Sequence, residues 1–410
     1  MIKHFRLPSN IIERNEYISR VKPFMEKPLA KVFTGQRRVG KSFMLFQIIR
    51  LILSKNPDAN IIYINKEELA FDKIRTAVNL NDYILSNSYT NKKNYIFIDE
   101  IQEITDFEKA IRSLLLNENN DIYITGSNAK LLSGELATHL AGRTVEINVY
   151  SLSYTEFLKF HHLSDSKGNL YKYFKYGGLP YLINMKLKDE VVFEYLKNIY
   201  STIVFRDVIA RYKLRSINFL ERLILFLADN IGSLFSAKKI SDFLKSQQIN
   251  LSHNQVLAYT DYLANAFLIH KVKRFDLKGK RFFETGEKYY FENTGLRNAI
   301  VGYHPGDNAK ILENVIYNQL LLNGYKIQTG QLDTKEIDFV ATKDNETIYV
   351  QVALQLNSEK IIDREFGNLL KIDDNYLKLV ITLEDESMNT FKGIPVIPAR
   401  KFLTEKFQSF

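Results

Sequence analysis

The chain has 410 residues, 45% of them hydrophobic and 25% charged, and it contains no cysteine. This length exceeds what one hydrophobic core usually organises, so two or three domains are expected. The lack of cysteine excludes disulfides and thiolate metal sites, and it fits a reducing compartment. The net charge of +9 is compatible with nucleic-acid binding but does not establish it.

The sequence shows no segment that indicates secretion or membrane insertion. Residues 1–10 lack the apolar core of a signal peptide. The most apolar stretch, Phe43–Leu53, is interrupted by Gln47 and Arg50 and is too short to span a bilayer. We therefore expect a cytoplasmic protein.

The clearest motif is a glycine-rich loop between a predicted strand and a predicted helix. The β-prone segment Leu29–Thr34 leads into a full match to G-x-x-x-x-G-K-[ST], and helical apolar spacing follows over Phe43–Ser54. In such loops, backbone N–H groups and the helix N-terminus hold phosphates, the lysine contacts the β and γ phosphates, and the hydroxyl binds Mg²⁺. The sequence therefore predicts ATP and Mg²⁺ binding by Gly35, Gln36, Arg37, Arg38, Val39, Gly40, Lys41, Ser42 and Phe43.

A second motif places two carboxylates at the end of a buried strand. Four apolar residues, Tyr95–Ile98, run directly into Asp99 and Glu100. Ligand sites of open α/β sheets lie at the carboxyl ends of parallel strands. We expect Asp99 to hold the Mg²⁺ shell, directly or through water, and Glu100 to polarise the attacking water.

Two further strands fit the same parallel sheet. Ile61–Asn65 lies between the two motifs, and Asp121–Thr125 follows the acidic one and ends in Gly-Ser127-Asn128. A polar side chain there could lie between the attacking water and the γ-phosphate. The alternative is an ordinary Asn/Ser turn.

These motifs resemble those of the AAA+ ATPases. The downstream segments Leu140–Thr144, Tyr150–Leu158 and Tyr176–Pro180 narrow the resemblance to a prokaryotic AAA-type family with a C-terminal, restriction-endonuclease-like domain of unknown function. The resemblance implies that Asn128 is a sensor and that Arg143 reaches a neighbouring subunit's γ-phosphate, which would require a homo-oligomer. A surface ion pair is the other interpretation of Arg143. Further candidates for adenine or sensor contacts are Arg14, Arg206 and Arg211.

The middle of the chain is predicted to form a winged helix. Ser236–Lys245 and a second segment from Ser252 to about Asn265 have helical spacing, and a predicted hairpin follows over 267–291. The hairpin is rich in basic residues and could contact DNA, although such a domain can also serve as a packing lid with a solvated edge. Its basic surface is expected to include Lys278 and Lys288, and the candidate DNA contacts are Lys271, Lys273, Arg274, Lys280 and Arg281.

The C-terminal part resembles a restriction endonuclease with an incomplete site. Glu313 lies on a predicted helix and Asp338 on a strand, but the next strand carries Gln351 and Ala353 where active members have an acidic residue and a lysine. We therefore expect a scaffold or nucleic-acid clamp that has lost the chemistry.

The predicted fold class is α/β: a P-loop core over residues 1–150, a helical and winged-helix segment over 151–292, and a nuclease-like α/β domain over 293–410. The predicted reaction is hydrolysis of ATP to ADP and phosphate, with Lys41, Asp99, Glu100, Asn128 and Arg143 as catalytic candidates. Three hypotheses remain for what hydrolysis drives: DNA binding or remodelling, a switch that assembles with protein partners, and an ATP-dependent nuclease.

Overall fold

The computed structural model describes residues 7–129, 140, 142–249, 251–279, 281–333, 335–386 and 388–405, and only the backbone of 281–285. It divides into two compact units. The first contains residues 1–150 together with Asn265–Phe267, and the second contains the rest of the chain.

The first unit is built on a five-stranded parallel sheet with the order β2-β3-β4-β1-β5. Its central strands are fully buried because they are apolar on both faces, as parallel sheets covered by helices require. The predicted strands of this region are confirmed. The strands are β1 (Ala30–Thr34), β2 (Asn60–Asn65), β3 (Asn94–Asp99), β4 (Asn120–Gly126) and β5 (Thr144–Asn148).

Helices cover this sheet with apolar faces. One core joins β1–β4 to the third and fourth helices, through residues such as Leu80, Ile84 and Ile111, which are inaccessible to solvent. The helix predicted after the glycine-rich loop is confirmed and begins at Lys41. The described α-helices are α1 (Asn15–Val21), α2 (Lys41–Lys55), α3 (Ala77–Asn87) and α4 (Phe107–Leu114).

The second unit begins with a helical layer. Its described α-helices up to the hairpin are α5 (Tyr154–Phe160), α6 (Lys167–Tyr176), α7 (Asp189–Thr202), α8 (Ile217–Asp229), α9 (Ala237–Ser246) and α10 (His253–Asn265). A π-helix, Ile203–Ala210, continues directly from α7 and carries Arg206, and Arg211 follows its last residue. Ser153 and Glu156 form a reciprocal capping box that fixes the start of α5.

An eight-stranded sheet forms the rest of this unit, in the order β12-β13-β11-β10-β9-β8-β6-β7. The strands are β6 (Ile269–Asp276), β7 (Arg281–Phe291), β8 (Lys326–Leu332), β9 (Lys335–Lys343), β10 (Glu346–Ala353), β11 (Leu377–Thr382), β12 (Thr390–Phe391) and β13 (Ile394–Pro398). The accompanying helices are α11 (Thr294–Val301), α12 (Asn308–Leu322), α13 (Glu359–Leu369) and α14 (Ala399–Thr404).

The predicted hairpin is confirmed as β6 and β7, which pair antiparallel. Phe235, just before α9, forms an isolated antiparallel bridge with Glu287 of β7. The hairpin is also part of the larger sheet, because β6 pairs in parallel with β8 over Arg274–Asp276. The boundary predicted between 292 and 293 therefore falls inside one compact unit.

Within the described residues, we find no helix whose length and hydropathy would allow it to cross a membrane.

Candidate functional site

The glycine-rich loop connects the carboxyl end of β1 to the first residue of α2. Gly35 has φ +148°, and a Cβ at this position would lie 2.0 Å from the backbone oxygen of Val149. Gly40, which caps α2, has φ +97°, a conformation that other residues rarely adopt. Both glycines are therefore needed for the turn that directs the loop N–H groups toward the N-terminus of α2.

Lys41 is buried at the start of α2. Its Nζ donates to the backbone oxygens of Gly35, at 3.0 Å, and Gln36, at 2.9 Å. The same Nζ lies 4.0 Å from Oε1 of Glu100. Two carbonyl oxygens of the loop and one carboxylate thus position the ammonium group inside the loop.

Asp99 occupies the carboxyl end of β3, where its side chain is almost inaccessible to solvent. Its carboxylate is hydrogen-bonded by the hydroxyls of Ser42, Thr125 and Tyr63, and the Tyr63 bond is 3.2 Å long. Burial raises the pKa of Asp99 above its ordinary value, and the bonds from Ser42 and Thr125 act against that rise. The residue predicted to bind Mg²⁺ therefore contacts the predicted hydroxyl ligand directly.

Glu100 follows Asp99 with a left-handed backbone, φ +55°. Its carboxylate accepts from Ser127 Oγ at 3.2 Å and from the Gln102 amide. Burial alone would raise the pKa of Glu100, but Lys41, Gln102, Arg37 and Ser127 together hold it below its ordinary value. Glu100 is consequently held as a carboxylate, which is the form that accepts a proton from water.

Thr125 was not identified from the sequence, although it links the two acidic residues. Its hydroxyl donates to Asp99 Oδ1 and accepts from the backbone N–H of Glu100 at 2.9 Å. Thr125 and Ser127, at the end of the predicted sensor strand β4, thus both form hydrogen bonds with this acidic pair. Asn128 lies half-buried just after β4.

The other loop residues differ in their exposure. Arg38 and Phe43 face solvent, whereas Gln36, Arg37 and Val39 are buried. The Gln36 Nε2 donates to the backbone oxygen of Phe267 at 2.7 Å, a residue 231 positions away.

Arg14 fixes the loop from outside. Its Nη1 donates to the backbone oxygens of Val39, at 3.1 Å, and Tyr150, at 3.0 Å. Its guanidinium also lies over the Tyr17 ring, 4.6 Å from the centroid. These contacts give Arg14 a local structural function. The other two arginine candidates, Arg206 and Arg211, lie in the second unit.

Arg143 lies at the opposite end of the sheet from the loop of its own chain. It immediately precedes β5, and its backbone oxygen accepts from the N–H of Ala30, the first residue of β1. The loop follows the last residue of β1, so the length of that strand, roughly 15 Å, separates the two. The side chain is exposed.

The donor set around the loop fits Mg²⁺ and a triphosphate. Among the described residues, no group of three or more His, Asp or Glu side chains is placed to hold a metal ion. Mg²⁺ bound to a nucleotide needs no such group, because water and phosphate oxygens complete its octahedron. The Gln102 Oε1, buried beside Glu100, has no hydrogen-bond partner among the described atoms, which fits a water molecule there.

The basic residues of the hairpin are in differing environments. Lys271 forms ion pairs with Asp261, at 2.9 Å, and Glu287, at 3.3 Å. Lys273 is exposed and Arg274 is partly buried. Lys280 lies outside the described residues, and only the backbone of Arg281 is described.

A buried cluster surrounds the predicted nuclease-like positions. The Nζ of Lys288 lies 2.8 Å from Glu313, 2.7 Å from Glu336 and 3.8 Å from Asp338. Tyr290 also donates to Glu313, at 2.5 Å. These three carboxylates outweigh burial and raise the pKa of Lys288, whereas burial raises the pKa of Asp338 well above its usual range.

Lys288 was expected on the basic surface of the hairpin, and this is wrong because its side chain is only 2% exposed. Ala353, where the resemblance to active nucleases predicts a lysine, carries no charge, and Gln351 uses its Oε1 to accept from the backbone N–H of Asp338 at 3.3 Å. The cluster therefore contains a lysine that comes from a different strand, β7.

Two family models and two relatives match this chain. A family model described as an AAA domain matches residues 27–158, and another, described as a domain of unknown function (DUF8612), matches residues 167–307. An uncharacterised protein of Haemophilus influenzae is 38% identical over 94% of this chain and 97% of its own length. The protein MJ1544 of Methanocaldococcus jannaschii is 32% identical over 87% of this chain and 82% of its own.

The Walker-type ATPase PABY2304 of Pyrococcus abyssi has a similar structure. The match has a TM-score of 0.50 and 16% identity, and it covers 73% of this chain and 99% of that chain. At this identity the likeness shows the fold, an α/β arrangement with the parallel sheet of P-loop ATPases.

Proposed function

We propose that this chain, which belongs to a family of prokaryotic AAA-type ATPases with a second domain of unknown function, hydrolyses ATP to ADP and phosphate. The observation that carries the proposal is the arrangement of Lys41, Ser42, Asp99 and Glu100 around one phosphate loop. Taken together, their contacts come from the loop after β1 and from residues of β2, β3 and β4 or directly after them.

In the proposed reaction, Glu100 takes a proton from a water molecule whose oxygen attacks the γ-phosphorus. The bond from the γ-phosphorus to the bridging oxygen breaks, and ADP leaves with that electron pair. When ATP binds, the ammonium group of Lys41 gives up its hydrogen bonds to the loop carbonyls and binds phosphate oxygens instead. Ser42 and Asp99 would hold Mg²⁺, which neutralises phosphate charge. Loop N–H groups and the N-terminus of α2 orient the phosphates.

Asn128 and Arg143 retain their proposed roles as sensor and as a contact to a neighbouring subunit. Because Arg143 is exposed and remote from its own loop, that role requires a homo-oligomer. The Ser127 contact to Glu100 supports a sensing function for the end of β4.

We further propose that α9, α10 and the β6–β7 hairpin form a winged helix. The bridge between Phe235 and Glu287 supports this, because it attaches the segment before α9 to the hairpin. For the C-terminal part we propose a restriction-endonuclease-like fold without cleavage activity. Glu313, Asp338 and Gln351 lie together as that arrangement requires, but Lys288 occupies the space among the carboxylates.

Coupling of hydrolysis to DNA is a proposal with limited support from the hairpin. Lys271 is already paired with two carboxylates, and Lys288 is buried. The exposed Lys273 remains available for phosphate contacts. A protein-assembly switch predicts instead that ATP changes the oligomeric state and that DNA has no effect.

The testing experiment is steady-state ATPase activity of the wild type and Glu100→Gln, with and without duplex DNA at two salt concentrations. We expect the wild type to turn over and Glu100→Gln to bind ATP without hydrolysing it. Stimulation by DNA that weakens with salt supports a DNA-coupled enzyme. Turnover that ignores DNA supports the switch, and absence of ATP binding contradicts the proposal as a whole.

A further inference from the structure

Arg37 of the phosphate loop reaches across the sheet toward β2. Its Nη1 lies 3.5 Å from Oε1 of Glu67, and its side chain is only 8% exposed. Glu67 follows the end of β2, whose last residue, Asn65, is in register with Asp99 of β3. An arginine in the β1 loop is thereby directed toward the strand at the far edge.

The order of the strands determines which strand ends lie between the phosphate loop and Glu67. Between β1 and β2 lie β4 and β3, so their carboxyl ends are separated by three strand spacings, or about 14 Å. Glu100 follows β3 and Ser127 follows β4 at this same edge. To reach Glu67, the Arg37 side chain must extend across the carboxyl ends of β4 and β3, where the attacking water and the γ-phosphate would meet in the proposed reaction.

The charges in this region agree with that placement. Arg37 lies close enough to Glu100 for the two opposite charges to attract each other. The carboxylate of Glu67 is 47% exposed, so its ion pair with Arg37 is screened by water and easily exchanged. A γ-phosphate carries more charge than one carboxylate, and its oxygens match the planar guanidinium.

We propose that Arg37 is a catalytic residue that acts within its own chain: when ATP binds, its guanidinium leaves Glu67 and contacts the γ-phosphate. There it stabilises the charge that spreads over the γ-phosphate oxygens as the bond to the leaving group breaks. Each chain then carries its own arginine for this step, in addition to the contact proposed for Arg143 of a neighbouring subunit. The inference rests on the proposed ATP hydrolysis.

The test compares Arg37→Ala and Arg37→Lys with the wild type. Measurements are kcat, KM, and the affinities for ADP and for a non-hydrolysable ATP analogue. We expect Arg37→Ala to lower kcat by about 10²–10³-fold, as removal of one transition-state donor does. It should keep ADP affinity within about threefold and lose the preference for the triphosphate. Arg37→Lys should recover part of kcat.

Two controls separate this role from damage to the fold. Arg75→Ala removes an exposed arginine that is paired with Asp72 in the same unit, and it should leave every parameter unchanged. Glu67→Gln removes the resting partner of Arg37, so it should tighten binding of the ATP analogue and leave ADP binding unchanged.

An Arg37→Ala enzyme with wild-type kcat would overturn the inference, and so would an equal loss of ADP and ATP-analogue affinity, which indicates a purely structural role. If the proposed ATP hydrolysis itself is wrong, the measurements give a different result. In that case the wild type does not hydrolyse ATP, and the ratio of ATP-analogue to ADP affinity in Arg37→Ala still decides whether Arg37 contacts the γ-phosphate.

Discussion

The Nζ of Lys288 lies 2.8 Å from Oε1 of Glu313, across a gap of 25 residues in the sequence. The lysine comes from β7 and the glutamate from α12, and Glu336 and Asp338 of β9 complete the cluster. One buried cation thus offsets the negative charge of three carboxylates.

Lys288→Met should therefore destabilise the second unit by about 3–5 kcal/mol at neutral pH, because buried carboxylates lose their counter-charge. Without Lys288, the pKa of Asp338 rises further in the folded state. Groups whose folded pKa is raised contribute stability at low pH and lose it as pH rises. The deficit should therefore shrink as pH falls from 8 toward 5. Urea unfolding of both proteins at several pH values measures this.

Two further variants serve as controls for the lysine. Lys278→Met removes an ion pair with Asp333 in which both side chains are more than half exposed, and it should cost less than about 1 kcal/mol. Adding Glu313→Gln to Lys288→Met should restore part of the stability. A Lys288→Met protein as stable as the wild type at pH 8 would contradict the view that the cluster depends on this lysine.

The phosphate loop could be predicted from the sequence, whereas the burial of Lys288 could not. The loop, its helix and the strand ending in Asp99 and Glu100 were predicted because each is encoded within about a dozen consecutive residues. Lys288 was assigned to a basic surface because alternation along a strand gives two faces but does not identify what covers each face.

Other contacts were not predictable for a related reason. The hydrogen bond from Gln36 to Phe267 joins residues 231 positions apart, and Arg37 meets Glu67 only because four strands adopt a particular order. Nothing in the local sequence around these residues specifies that order. Thr125 could have been found, since it ends the predicted strand next to the acidic pair.

Gly35→Ala tests the geometry of the loop. The added Cβ would meet the Val149 oxygen at 2.0 Å in a backbone conformation with φ +148°. We expect loss of ATP binding and destabilisation of about 1–3 kcal/mol from backbone strain. Fluorescent-nucleotide titration and thermal unfolding with and without ATP measure the two effects.

The matched control for this change is Gly168→Ala. Gly168 lies in helix α6, and a Cβ there has no atom within 4 Å. Alanine should therefore be neutral or slightly stabilising. If Gly35→Ala bound ATP as tightly as Gly168→Ala, the loop would not be the phosphate site.

Gln102→Leu tests what sets the pKa of Glu100, the proposed general base. The Gln102 amide donates to Glu100 and helps to keep the pKa of that carboxyl below its ordinary value. Its removal should raise the pKa, so the acid limb of the kcat/KM profile should move to higher pH while the plateau at neutral pH changes little. Glu100→Gln provides the reference, since it should lose activity at every pH. An unchanged acid limb in Gln102→Leu would show that another group sets it.

Lys31 and Asp121 form a fully buried ion pair between β1 and β4, near the amino ends of both strands and away from the phosphate loop. Further hydrogen bonds compensate for the burial of both charged groups. Lys31 donates to the Leu29 backbone oxygen at 2.8 Å. Asp121 accepts from the Tyr123 hydroxyl at 2.7 Å and from the Glu26 N–H at 2.9 Å. Burial lowers the pKa of Lys31, and Asp121 counteracts that shift.

Either Lys31→Met or Asp121→Asn alone should cost about 3–5 kcal/mol, because each leaves an imperfectly compensated polar group in the sheet. The double variant should cost less than the sum of the two, with a coupling of about 0.5–3 kcal/mol. Urea unfolding of the wild type, the two single variants and the double variant completes this double-mutant cycle. Strict additivity would mean that the two charges do not stabilise one another, and the sheet would then owe its stability to the apolar layers on either side of the pair.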